Sequence, residues 1–565
     1  MKRILCPLLG LFACSLAHAQ TKATWGEEFK MHNGSTDLAM LSVDKTGEYL
    51  EESHDIKSIG LWSPNVRKSS TLVKLTPTLS ELYRNDFDKE LKGKQFERFF
   101  FIGDKLYLFA SDYSKHDRLM FLYASEVDKS TGHLKQEWKQ VYQWQKDDKS
   151  ENLAFKIVPN SDSTKVILTA TFAGKGNNRY ELQALDGDLK PLGKPMTITN
   201  EFDPKTFQIE DFVYTPTGNA VVVGRLYEYE DGKSKKDKNL LFKTYSIRVY
   251  DLEGKLVKDI VTDVDGKFLV TSKVLLLKNE LVLAAFYSNT KKKKEINGLL
   301  VQRIDPATGN ILVSTQKELN AASITQVDED EDDKKEAKAP KGDDEDGLVA
   351  NLRFNKFYLT PDNGVVILAE KYKRTITTSS STTGGGMGFG MGSTTQTTTA
   401  NYECGDIYMS KISAAGNIDW LHVVPKNQRE SLLLGESSGP ATGIWFSESY
   451  FSDSWNYPFF AGFGSIAGQN HLHIFFNDYE KNAAALDPGT RIKRVYSFGR
   501  TSCYEVNLDM VTGKYTKKEV FSNKDIPNAM PRLGVEMDNT LYMTGKESRT
   551  FGKARVAVGK LVCKD

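Results

Sequence analysis

The chain has 565 residues, with 75 lysines and arginines against 74 aspartates and glutamates, so its net charge of +1 gives no electrostatic reason to expect a nucleic-acid partner. Its five cysteines are too few for a disulfide-built scaffold, which leaves stability to an apolar core. Beyond the N-terminus no stretch offers about 18 uninterrupted apolar residues; even 268–287 carries Lys273, Lys278 and Glu280, so no transmembrane segment is expected.

Lys2 and Arg3 precede an apolar run from Ile4 to Leu16 and then Ala17-His18-Ala19, the layout of a secretory signal peptide over 1–19. The mature chain, 20–565, is therefore expected to be exported to the periplasm, the cell surface or beyond. Cleavage before Cys14 instead would supply a lipid anchor, against which Phe12 stands as an awkward residue for that site. Only Cys404, Cys503 and Cys563 follow, an odd number with room for one bridge.

From Asp37 onward, short runs rich in Val, Ile, Leu, Tyr and Phe succeed one another: 105–111 (KLYLFAS), 165–172 (KVILTATF), 219–227 (NAVVVGRLY), 280–287 (ELVLAAFY) and 364–372 (GVVILAEKY). Such runs, bounded by Gly, Asp, Asn and Pro, predict strands buried on both faces. Between them recurs a turn, as in 127–134 (VDKSTGHL), 185–192 (LDGDLKPL), 250–257 (YDLEGKLV), 303–312 (RIDPATGNIL), 412–420 (ISAAGNIDW) and 508–515 (LDMVTGKY). Its Asp accepts from nearby amides and its Gly takes positive φ, closing one hairpin per repeat. A period of about 50 to 65 residues with four strands per unit predicts an all-β chain forming a single closed β-propeller. The units run 37–87, 96–144, 153–198, 208–262, 269–317, 352–424, 458–521 and 531–562, about eight blades, with seven as the alternative count. The last lacks a fourth strand, which 25–31 is expected to supply.

Thr131-Gly132, Thr308-Gly309 and Thr512-Gly513, with Gly416 and Trp420, resemble the D-x-x-T-G turn and G-x-x-x-W spacing of the quinoprotein-type propeller blade. That resemblance implies a tryptophan packing across to dock neighbouring blades, although Val313 stands in its place after Gly309 and Trp138 is displaced after Gly132. The family includes cofactor enzymes and non-catalytic scaffolds, so it implies a fold and no activity.

The repeated turns join third to fourth strands and trim one rim short. The insertions fall on the opposite rim: 233–239, the Lys291–Lys294 run, the acidic link 327–347, the Ser/Thr/Gly/Met tract 375–400, the link 425–457 and the segment 478–501. The tract 375–400 reads as flexible and the acidic link as a solvated linker. Loosely bound Ca2+ on that link is the one cofactor this pattern allows.

Residues 443–463 (GIWFSESYFSDSWNYPFFAGF) hold nine aromatics, of which Phe459 and Phe460 are expected in a first strand. Trp445, Tyr450 and Trp455 are the candidate contact residues for a protein or glycan partner, the other reading being that the aromatics pack the link onto the scaffold. Catalytic signals are weak. Ser437 in GESSG matches a nucleophile elbow, yet Pro440 follows and no helical hydrolase domain surrounds it. His471 and His473 share one side of a strand without a third ligand, so no metal site is assigned, and 263–266 (DVDG) reads as a turn. The expected function is binding of a protein or glycan at the insertion-rich rim; the alternative is a glycosidase or lyase using carboxylates at the central channel.

Overall fold

The computed structural model describes residues 21–31, 35–59, 64–174, 178–199, 202, 205–229, 240–261, 266–289, 296–318, 352–383, 393–434, 458–488, 490–547 and 555–563. The described residues are all-β, most of them in strands, with helix confined to three short 3-10 turns. Among the described residues the strands form eight antiparallel sheets; the first seven take their four main strands in sequence order, and the eighth adds a strand from the other end of the chain.

The first sheet pairs Ser35–Asp44, Gly47–Ile59, Pro64–Leu75 and Glu81–Asp86. The second pairs Gln95–Ile102, Lys105–Ser114, Leu119–Val127 and Lys139–Gln145. The third runs from Asn152–Pro159 to Met196–Thr199, the fourth from Phe207–Tyr214 to Leu256–Val261, and the fifth from Phe268–Leu277 to Ile311–Glu318. The sixth comprises Arg353–Leu359, Val365–Thr383, Ser393–Ile412 and Ile418–Val424, with Gln428–Leu434 added to its third strand. The seventh comprises Gly464–Ala467, His471–Asp478, Ser502–Asp509 and Tyr515–Ser522. In the eighth, Thr540–Glu547 and Arg555–Val562 are joined by Lys22–Trp25 from the other end of the chain. The expected closing strand, 25–31, is thus corrected: Lys22–Trp25 pairs Gly559–Val562, and only Phe29–Lys30 continues the edge. Gly559 sets this register, because a Cβ there would lie 2.8 Å from the Trp25 ring.

The second strands of the second to fifth sheets are largely apolar because each of these sheets lies between two others. Successive side chains point to opposite faces of a strand. Val222 accordingly packs toward the third sheet with Tyr180, while Val221 and Val223 pack toward the fifth with Leu283. Val282 and Ala284 face the sixth sheet, and Leu281 and Leu283 the fourth. Seven such clusters join each sheet to the next, and an eighth joins Val556 and Val558 of the eighth sheet to Leu50 and Val73 of the first.

The repeated turn does two jobs. Asp128 Oδ1 accepts from Ser130 N at 2.7 Å, and Asp509 Oδ1 accepts from Val511 and Thr512 N at 2.9 and 2.8 Å. Gly513, at φ +76, also lies so close to Trp420 that a Cβ would come within 2.7 Å of the ring. Trp420 belongs to the last strand of the preceding sheet, so the turn is a docking contact between neighbours. Val313 occupies the equivalent place beneath Gly416, and Tyr83 beneath Gly132. The contact needs a bulky side chain under a glycine and does not require tryptophan, which is why the sequence motif is degenerate.

Candidate functional site

The sixth and seventh sheets carry a platform on the rim opposite those turns. Its base is the long hairpin, 19 and 20 residues per strand, paired as far as Thr383 and Ser393. The tract expected to be flexible is therefore strand over 375–383 and 393–400. Its threonines are β-branched and favour the extended backbone, and Thr378 and Thr398 are hydroxyl neighbours across the pair at 3.4 Å. Residues 384–392 lie outside the described residues.

Tyr372, Ala400, Tyr402 and Cys404 of this hairpin bury themselves against Val495 and Phe498 of the 478–501 segment and Ala461 beyond the aromatic link. Polar groups lock the three together. The Glu430 carboxylate accepts from the backbone N–H groups of Phe459, Phe460 and Ala461 at 2.9, 2.8 and 2.9 Å. Burial raises its pKa, and the three amides pull it back. Gln428 Oε1 accepts from Gly462 N at 2.7 Å. Beneath them Lys426 Nζ donates to Glu370 Oε1 at 2.7 Å, to the Cys404 carbonyl at 3.1 Å and to Gln428 Oε1 at 3.2 Å.

Phe459 and Phe460 are consequently not in a first strand, which begins at Gly464. They form a bend because Glu430 takes their amides. Phe460 packs on Phe498 at 5.5 Å and Phe463 is buried, so for these the packing reading holds. Trp445, Tyr450 and Trp455, like Ser437, the acidic link, both lysine runs and 263–265, lie outside the described residues. The two roots of their segment, Leu434 and Pro458, both lie at the platform.

The platform's solvent side is basic. The 478–501 segment carries Lys481, Arg491, Lys493, Arg494 and Arg500 against Asp478, Glu480 and Asp487, and Asp478 is buried in a pair with Lys517 at 2.8 Å. Lys373, Arg491, Lys493 and Arg500 are exposed, and Tyr496 is 59% exposed. The Lys371 pKa is lowered by burial, with Arg494 and Lys373 adding to the effect against Asp406 and Glu403. Cations gathered this closely favour an anionic neighbour.

A second group lies on the first strands, which contact one another from sheet to sheet. Several carry a bulge that turns one residue out of register, Glu97 in the second sheet and Glu210 in the fourth. Glu210 Oε2 accepts from Arg225 Nε and Tyr245 Oη, both at 2.5 Å, and Ser272 donates to Tyr245 Oη at 2.6 Å. Lys156 pairs with Asp211 at 3.1 Å and Lys356 with Glu536 at 3.7 Å. Glu97, hydrogen-bonded by Ser111, is pushed up to about 7 by burial. Lys273, donating to the Asn355 carbonyl at 2.8 Å, is brought down to about 8 by burial, with Arg353 adding to it.

Because Glu97 titrates from an ordinary value of 4.5 to about 7 on folding, the folded state holds the extra proton between those limits. Stability from this group is full below pH 4.5 and falls as pH rises to 7. Glu97→Gln is expected to gain on the order of 2 kcal/mol relative to the parent between pH 5 and pH 8. Urea denaturation at the two pH values measures this, and equal parent-to-variant differences at both would refute it.

Sequence reasoning missed Glu430, Glu97 and Lys273, because each acts through neighbours that only folding brings near. His473 is buried with Nδ1 2.6 Å from Glu505 Oε1, which also accepts from Thr21 Oγ1 at 2.6 Å. Cys404, Cys503 and Cys563 are buried, and burial pushes the Cys404 thiol up to about 12. No helix among the described residues is long and apolar enough to cross a membrane.

No protein-family model matches the chain, and no curated protein matches it. Among solved structures, prolyl oligopeptidase B from Galerina marginata is similar at 10% identity and a TM-score of 0.27, over 58% of this chain and 37% of its own. The chain thus spans little more than a third of that enzyme. The β-propeller domain of the Trilobed protease from Pyrococcus furiosus is similar at 9% identity and a TM-score of 0.28, over 72% and 96%. The α-L-arabinofuranosidase of Fusarium graminearum gives 9% and 0.26, over 52% and 98%. Likenesses this distant carry no argument about activity.

Proposed function

We propose that the chain is an exported, closed propeller of eight blades that binds an anionic protein or glycan partner on the platform of its sixth and seventh blades. Closure is supported by the apolar cluster between the eighth and first sheets and by Lys22–Trp25 completing the eighth. An experimental structure with those two sheets apart would remove it. Export rests on the N-terminal sequence pattern alone, and the intact mass of the chain recovered outside the cytoplasm tests it.

One observation carries the binding reading. Three separate excursions pack into their own small core, hold the roots of the aromatic segment, and present exposed cations beside Tyr496. Rigid scaffolds that raise built loops on one rim use them for recognition. Glu97 and Lys273, both strongly shifted on the first strands, favour a second reading, an enzyme acting on carbohydrate in the channel.

One experiment separates the two. The mature chain, a rim variant (Arg491→Glu, Lys493→Glu, Tyr496→Ala) and an inner variant (Glu97→Gln, Lys273→Met) are compared on an acidic-glycan array and a panel of glycoside substrates. Binding weakened about tenfold or more in the rim variant alone is expected. Turnover that the inner variant abolishes would establish the enzyme instead, and rim-variant binding equal to the parent's would end the platform proposal.

A further inference from the structure

A cluster in the first sheet, separated from the platform by the eighth, belongs to neither reading. His54 lies in the second strand opposite Ser69 of the third, Asp86 ends the fourth strand opposite Thr71, and Asp88 follows two residues later. Two chain segments thus bring an imidazole and two carboxylates to one point. His54 Nε2 lies 2.9 Å from Asp88 Oδ1 and 3.9 Å from Asp86 Oδ2, and one ligand atom from each residue falls within 4.8 Å of the others.

Those separations suit a metal ion. Ligands about 2.1 Å from a common ion stand about 3.0 Å apart at octahedral edges and about 3.4 Å at tetrahedral ones. The His54–Asp88 separation of 2.9 Å matches an octahedral edge, and the 3.9 Å to Asp86 exceeds a tetrahedral one by about 0.5 Å. Burial is also graded as an ion site requires. The imidazole is 3% exposed, and the carboxylates, 35% and 39% exposed, form its outer wall. An ion would enter from solvent and keep water on its remaining positions.

The Asp86 carboxylate also accepts from the Asp88 N–H at 2.7 Å, which fixes the two aspartates relative to each other. A cation between them would offset the repulsion of two carboxylates gathered within 4.8 Å of one imidazole nitrogen. The nitrogen donor decides the class of ion. Ca2+ and Mg2+ take oxygen ligands, whereas imidazole with carboxylates suits Zn2+ and its transition-metal neighbours.

We propose that His54, Asp86 and Asp88 form a three-ligand site for a divalent transition-metal ion of the Zn2+ class, with coordination positions left open to solvent. The site is independent of the platform, and its sequence signal is only the D-x-D spacing of Asp86 and Asp88 beside a distant histidine. The sequence reading assigns no metal here.

The test uses the full mature chain, stripped with chelator and titrated with Zn2+, Mn2+ and Ca2+ at pH 7.5 by calorimetry, with metal content measured after dialysis. One equivalent of Zn2+ is expected, bound at least tenfold more tightly than Ca2+. His54→Gln and Asp88→Asn should each weaken it tenfold or more, and His471→Gln should leave it unchanged. Should His54→Gln fail to fold, Asp86→Asn, altered at the exposed wall, serves as the second variant, and X-ray absorption of the Zn2+-loaded parent must show an imidazole neighbour. Absence of stoichiometric Zn2+, equal affinity in Asp86→Asn, or an all-oxygen shell each overturns the site and leaves the His54–Asp88 hydrogen bond as the account of the cluster.

Discussion

Lys426→Ala is expected to cost about 3–5 kcal/mol of folding stability, the largest loss of any single change considered, because it leaves a carboxylate buried without its cation. Lys426 and Glu370 have side-chain exposures of 0% and 2%, and the ammonium also serves the Cys404 carbonyl and Gln428. Taking two charges out of water is costly, so the pair itself adds little net stability. Removing one partner exposes the whole desolvation penalty. The double variant Lys426→Met with Glu370→Leu should therefore recover more than half of the single variant's loss. Denaturant midpoints of the three proteins measure this. A loss below about 1 kcal/mol for Lys426→Ala would mean that water reaches the pair.

Glu430→Ala ranks second. It withdraws the acceptor from three amides that are held by nothing else at the bend, at about 1 kcal/mol or more for each buried donor, hence about 3 kcal/mol in all. Much of the effect should be local. Amide exchange at Phe459, Phe460 and Ala461 is expected to accelerate by about a hundredfold, the factor that about 3 kcal/mol implies, while amides of the first to fourth sheets keep their protection. Glu430→Gln, which keeps one acceptor oxygen, should fall between the two. If partner binding on the platform requires the aromatic segment to be rooted, Glu430→Ala also loses that binding. Retained binding with accelerated exchange would assign recognition to the cations of 478–501 alone. Unchanged exchange would refute the anchoring role.

The architecture was legible because its signals are local. An apolar run of five to eight residues declares a doubly buried strand, and an Asp followed by Gly declares its turn, whatever lies elsewhere. The departures share one cause. The threonine tract is low in complexity yet pairs as strand, since each half supplies the other's ladder. Phe459 and Phe460 look like the start of a strand, yet Glu430, about 30 residues earlier, claims their amides. The closing strand is Lys22–Trp25 because Gly559, at the far end of the chain, leaves room for the Trp25 ring.

The sequence by itself determined the strands and the repeated hairpins, because strand direction alternates and each turn type is encoded within a few residues. Only the tertiary structure decided which charges meet. Lys426 with Glu370, Glu430 with the bend, and His54 with Asp86 and Asp88 are each separated by some thirty to fifty-six residues. Electrostatic and hydrogen-bond partnership depends on distance in space, and sequence spacing across sheets does not encode that distance.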